Sequence, residues 1–207
     1  MDSGITVTGT GEASAPADVL RLLLGVGRDA EDVATAVAAV AERTDAVTAA
    51  LRAQGADPAD IQTSTVNIYP QYRETMNQVA AYRASHSLTV STTDLNGFGR
   101  LLNAAVDAAG NDLTVDHVGF DVTDKKALLD EARKLAFAQA REKAAQLAEL
   151  AGQSLGSIAA VEETYGHSPI RAAMPSAKGD MGFAPEIAVS PGDQTVEASL
   201  TVRWSWA

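Results

Sequence analysis

The chain has no cysteine. Disulfides, thiolate catalysis, cysteine-type zinc sites and lipid attachment through an N-terminal cysteine are thereby excluded, while the redox compartment stays open. Positive charge is also scarce: 16 Lys plus Arg stand against 27 Asp plus Glu, a formal net charge of −11. That balance repels a phosphate backbone unless basic residues cluster, and the one cluster is Lys125-Lys126, so no nucleic-acid partner is expected. No apolar run reaches the roughly 18–20 residues of a membrane span. The start, Met-Asp-Ser-Gly, has neither a basic segment nor an apolar signal core, so the chain as it stands is expected to be cytoplasmic. If a leader has been removed ahead of Met1, the expectation becomes periplasmic or envelope-associated.

What is present suits a folded protein. The 207 residues are 46% apolar and 21% charged, enough for one domain over 1–207 with a real core, at most two-lobed. Ile5 to Thr8 alternates and meets Gly9 and Gly11, predicting a first strand that is either bulged or closely approached by another backbone. Val19 to Val26 is apolar on both faces, as in a buried strand. A helix over about 31–54 carries Val33, Val37, Val40, Val47 and Leu51 as a narrow seam, with Thr44 in its gap and Gly55 at its end. This seam is expected to be core.

The stretch DIQTSTVNIYPQY, Asp60 to Tyr72, alternates with Val66, Ile68, Pro70 and Tyr72 on one face and Thr63, Thr65, Asn67 and Gln71 on the other. It runs to about twice the usual 5–6 residues of a strand. With Tyr82 to Val90 it predicts a long antiparallel hairpin, joined by a polar turn over Thr75–Gln78. Further helices are predicted over about 94–109, capped by Asp94 and ended by Gly110, and over about 124–151, capped by Asp124 and ended by Gly152. A strand over Leu113–Val122 lies between them, another over Ser157–Thr164 follows, and the alternation from Val196 to Trp206 gives the last. Residues 166–192 form a Gly/Pro/Met-rich loop longer than the usual limit of about 12–15, expected to be functional or mobile. The order ββα-ββα-βα-ββ implies an α+β fold, a mainly antiparallel sheet covered on one face by helices, with a projecting hairpin.

With these elements placed, the chain resembles the SIMPL domain family, a domain of unknown function. The resemblance rests on ITVTGTGE, DIQTSTVNIYPQY, LLNAAVDAAGNDLTVDHVGFDVTD, AREKAAQLAELAGQSLGSI and SPGDQTVEASLTV, in that order over nearly the whole length. Each is weak alone, being strand and helix-end grammar. Ser14-Ala15-Pro16-Ala17-Asp18 departs from the family pattern, in which proline is followed directly by aspartate. The resemblance implies an α+β fold, homo-oligomers, bacterial relatives often in the periplasm or envelope, and an animal relative that acts as a signalling adaptor. It implies no agreed catalytic residues.

Candidate chemistry is thin. Gly152-Gln153-Ser154-Leu155-Gly156 matches the G-x-S-x-G nucleophile elbow, but that motif needs a strand before it and a helix after it, and here the order is reversed. His86, His117 and His167 have no metal-pair spacing, and His86 is expected as a satisfied imidazole on an apolar strand face. Asp116, Asp121 and Asp124 lack calcium-loop spacing. Gly9-Thr10-Gly11 and Gly25-Val26-Gly27 lack the rest of a dinucleotide fingerprint. No catalytic residue, metal ligand or cofactor is therefore assigned. Trp204 and Trp206 either close the core or anchor an interface. Tyr69, Tyr72, Met76, Val79 and Tyr82, placed on the overhanging part of the hairpin, are expected with these tryptophans to mediate self-association. The leading expectation is a non-enzymatic, self-assembling binding or scaffold protein, linked through its resemblance to envelope or oxidative stress protection. The alternative is a small-molecule or lipid carrier with a pocket between sheet and helices, into which Met174 and Met181 could fold. A hydrolase using Ser154 ranks third.

Overall fold

A computed structural model describes residues 3–72, 78–164, 171–172 and 191–207. The elements are β1 (Gly4–Pro16), β2 (Val19–Ala30), α1 (Val33–Ala53), β3 (Ile61–Tyr72), β4 (Val79–Thr92), α2 (Phe98–Ala109), β5 (Leu113–Asp121), α3 (Lys125–Leu150), β6 (Leu155–Thr164), β7 (Arg171–Ala172) and β8 (Asp193–Trp206). The fold is α+β, and the strand pairs are antiparallel. The predicted element order stands, with β7 added inside the segment read as a loop. Most of the rest of that segment lies outside the described residues.

The strands divide between two sheets, ordered β1-β8-β6 and β3-β4-β2-β5, and the chain divides into two compact units built on them. The sequence pattern implied one sheet. The difference arises at Ala17-Asp18: β1 and β2 are consecutive but do not form a hairpin. Instead β1 pairs along its whole length with β8, from Gly4 opposite Ser205 to Pro16 opposite Asp193. Alternation fixes which face of a strand is buried, and it is silent about a partner so far along the chain.

In the unit of β1, β8 and β6, the core lies between the sheet and α3. Ala132, Ala136, Ala140 and Ala144 meet Ala198, Leu200, Val202 and Trp204. Alanine recurs at every fourth position, so α3 presents a smooth ridge to the sheet. Gly9 and Gly11 are the counterpart. A Cβ on Gly9 would strike the Ala136 carbonyl, and one on Gly11 the Ala132 carbonyl. The register of β1 against β8 has no shift, so of the two readings of these glycines the close approach is the correct one. At its C-terminus α3 ends on Gly152, φ 66°, and the Gln153 N–H donates to the Ala148 carbonyl at 2.9 Å.

In the other unit β2 is the central strand, and Leu20, Leu22, Leu24 and Val26 are fully buried under α1 and α2 with Val47, Leu51, Phe98 and Leu101. Asp32 caps α1 by accepting the Thr35 N–H at 2.9 Å and the Thr35 hydroxyl at 2.7 Å. Those bonds, the backbone one foremost, hold its carboxyl below the ordinary range. The cap therefore contributes at neutral pH and is lost as pH falls through that lowered value. Asp94 caps a short 3-10 turn, Leu95–Gly97, that leads into α2 rather than capping α2 itself.

The packing of α3 on the glycines yields a first test. Gly9→Val should lower stability by about 2–3 kcal/mol, the usual scale of overpacking a tight contact, and so depress the thermal midpoint. Thr8→Val, on an exposed position of the same strand, should leave the melt nearly unchanged. Equal melting of both variants would show that the helix does not press on β1.

Candidate functional site

The feature that best fits a binding role is the edge formed by β3, with the cleft it makes against α1. Among the described residues β3 is the terminal strand of its sheet and pairs only with β4. Residues 62–70 are all exposed. Between Ile61 and Tyr72 there is no charged side chain. Along this edge Val66 is 62% exposed and Ile68 48%.

α1 approaches the same face without closing on it. Val37 and Val40 of α1, with Val66 and Ile68 of β3 and Ala84 and His86 of β4, line a cleft of about 110 Å³. The valine seam of α1 is thus divided. Val40, Val47 and Leu51 are core as expected, whereas Val33 and Val37 remain 39% and 40% exposed. The reason is tertiary: the C-terminal half of α1 lies over buried β2, while its N-terminal half lies beside β3, where no other described residue covers it. The distal hairpin is accordingly followed by α1 as far as Ala84, which is buried with Ala36 and Val40.

His86 closes one end of the cleft. Its Nδ1 lies 3.2 Å from the Thr44 hydroxyl and its Nε2 3.1 Å from the Thr63 hydroxyl. The imidazole is satisfied, as expected, and Thr44 fills the gap in the valine seam because it is a partner of His86. Strict alternation places Thr63 on the face away from Val66. The structure places them together, because the register against β4 shifts between Thr63 and Thr65. A bulge of this kind adds one residue and turns the side chains before it to the other face.

The self-association candidates are scattered. Tyr69, Tyr72 and Val79 are exposed, at 45%, 57% and 44%. Tyr69 lies opposite Arg83, on the face away from α1, while Tyr82 pairs with Pro70 on the other face. Met76 lies outside the described residues, as do His167, Met174 and Met181. Trp204 is buried, 3% exposed, with its ring 6.4 Å from that of Phe137, so it closes a core, and Trp206 is half-buried.

No chemistry gathers at the remaining candidates. Ser154 follows a helix and precedes a strand, and its carbonyl accepts the Ala207 N–H at 2.9 Å. Asp121 is paired with Arg21 at 3.0 Å, and Asp124 caps α3 through the Ala127 N–H. Among the described residues no group of three or more His, Asp or Glu is placed to hold a metal ion. Gly25 and Gly27 lie inside β2, where the Thr114 hydroxyl and the Arg83 guanidinium cover them; the strand continues past both to Ala30, so they form no glycine turn at the start of α1 to bind a pyrophosphate.

These features define an α+β protein of antiparallel, helix-covered sheets. The family described as "SIMPL: Protein of unknown function (DUF541)" matches residues 5–204, and the chain belongs to it. It is 31% identical to the 26 kDa periplasmic immunogenic protein of Brucella melitensis, over 96% of this chain and 82% of that one. The protein of the same name from Brucella abortus matches equally, at 31% and the same coverage. An uncharacterized protein YggE of Edwardsiella ictaluri is 28% identical over 76% of this chain and 66% of its own.

Ser154→Ala tests the elbow motif. It should leave the thermal midpoint unchanged, because Ser154 contributes only its backbone carbonyl to the fold. Specific labelling of Ser154 by an organophosphonate serine probe would overturn that assignment.

Proposed function

We propose that the protein is a non-enzymatic, self-assembling binding protein of the cell envelope, in which the edge of β3 joins one copy to another. One observation carries this reading: among the described residues β3 is a long open strand edge, with no charged residue, in a chain of net charge −11. Open edges pair readily with other chains, and proteins that remain monomeric blunt them with charge or cover. Two copies of an acidic chain repel each other over most of their surface, so an uncharged strip is where they can approach. The Brucella relatives, each a 26 kDa periplasmic immunogenic protein, support a periplasmic setting over a cytoplasmic one. A part in envelope or oxidative stress protection would be carried out by the assembled form.

The cleft beside β3 favours a second reading, a carrier of small apolar molecules. At about 110 Å³ it is well below the roughly 300–1,000 Å³ of ordinary ligand pockets, which ranks this reading second.

Sedimentation velocity separates the two. The wild-type chain should form a discrete oligomer at tens of micromolar. Val66→Asp with Ile68→Asp should convert it to monomer with its circular dichroism intact, since both side chains are exposed. A wild-type monomer that releases a bound lipid in native mass spectrometry would overturn self-assembly in favour of the carrier.

A further inference from the structure

We infer that β3 pairs antiparallel with β3 of a second copy, with Val66 opposite Ile68 and Asn67 on the two-fold axis. The inference rests on the self-assembly reading and adds the surface, the partner and the register.

The edges of the two sheets differ in how they are closed. On β1 the Gln139 side chain takes the Thr10 N–H at 2.8 Å, and the Lys143 ammonium donates to the Thr8 carbonyl at 3.1 Å. These are backbone groups that an incoming strand would need. The edge strand β5 carries Asp116, and the edge strand β6 carries Glu162. Such charges oppose a second copy of the same chain. Among the described residues nothing covers β3, and the strand itself carries no charge.

Pro70 sets the register. Proline in a sheet belongs on an edge with its nitrogen turned away from the neighbouring strand, so the backbone of Pro70 faces outward from β4. The pairing with β4 is regular from Thr65 opposite Ser87 to Gln71 opposite Ala81. Backbone direction alternates along a strand, so Val66 and Ile68 also present N–H and C=O outward. Placing Val66 opposite Ile68 of the second copy, and Ile68 opposite its Val66, joins all these groups in four hydrogen bonds and leaves Pro70 outside the ladder. Shifting the axis to Ile68 would instead set Val66 against Pro70, which has no N–H to give to the Val66 carbonyl.

The side chains agree with the chosen register. Val66 and Ile68, which face α1, become cross-strand apolar neighbours, and the exposed Val33 and Val37 of both copies flank them on the same face. On the opposite face Thr65 meets Tyr69 of the second copy, a β-branched and aromatic pair of the kind that stabilises sheets. Asn67 meets Asn67 across the axis as a non-hydrogen-bonded pair, the type whose Cβ atoms lie close.

A chain without cysteine makes the test direct. Asn67→Cys, Ile68→Cys and a control on α3 of the other unit, Glu142→Cys, are oxidised with diamide and resolved without reductant; Asn67 and Glu142 are exposed, and circular dichroism verifies each fold. Asn67→Cys should give covalent dimer in several-fold excess over either other variant. If Ile68→Cys cross-links best, the axis lies at Ile68 and the stated register is wrong. If none of the three cross-links while the wild-type chain sediments as an oligomer, β3 is not the interface, although self-assembly stands. A wild-type monomer overturns both.

Discussion

The pairing of the first strand with the last governs how this chain is organised. β1 and β8 run together without a register shift, joining Gly4–Pro16 to Asp193–Trp206. Because those partners are separated by most of the chain, the sheet of one unit cannot exist until the ends meet. Everything from Asp18 to Asp121 must then fold as an insertion with its own core, built on β2. Pairing of such high sequence separation carries a loop-closure cost that local hairpins do not. The inserted unit has local contacts to start from, the β3–β4 hairpin and the contact of α1 with α2. The unit of β1 and β8 has α3 beside β6, which follows it at once.

The two units use glycine and alanine differently to solve the same problem of covering a sheet. α3 comes so close to β1 that Gly9 and Gly11 have room for no side chain, and a ridge of alanines replaces the larger groups usual in a helix–sheet core. The closeness has a second effect: it brings Gln139 and Lys143 within reach of the outer backbone groups of β1. Tight packing and edge protection are one arrangement there. In the other unit the larger Leu, Val and Phe side chains hold α1 and α2 over β2. α1 stops short of the edge, and among the described residues the cleft and an uncovered β3 are the result.

The proposed self-assembly rests on that asymmetry. An apolar edge strand is a hazard for a monomer and an asset for an assembly, since pairing satisfies backbone groups and covers Val66 and Ile68 in one step. The acidic surface elsewhere limits where copies can meet. In the proposed assembly charge and edge geometry together select a face, and neither would do so alone.

Much was legible in the residues. The helix boundaries followed from Asp124 at the start of α3 and from Gly55, Gly110 and Gly152 at the ends, all three glycines with positive φ, while Asp94 marked the short turn ahead of α2. The α+β class followed from alternation and element order, and the reversed context of Ser154 from its place after α3. These are local properties, decided by backbone sterics and side-chain period within a few residues. What stayed hidden was non-local. Nothing near Gly9 announces that α3, more than a hundred residues on, will lie against it. Nothing in β1 and β2 says that they part into different sheets. The shift between Thr63 and Thr65, which turns Thr63 toward His86, is one extra residue invisible to a period of two. Val33 and Val37 look like the rest of their seam and differ only because β3, not β2, lies beside them. The period of a pattern determines which face seeks cover, and only the packed chain decides whether cover is there.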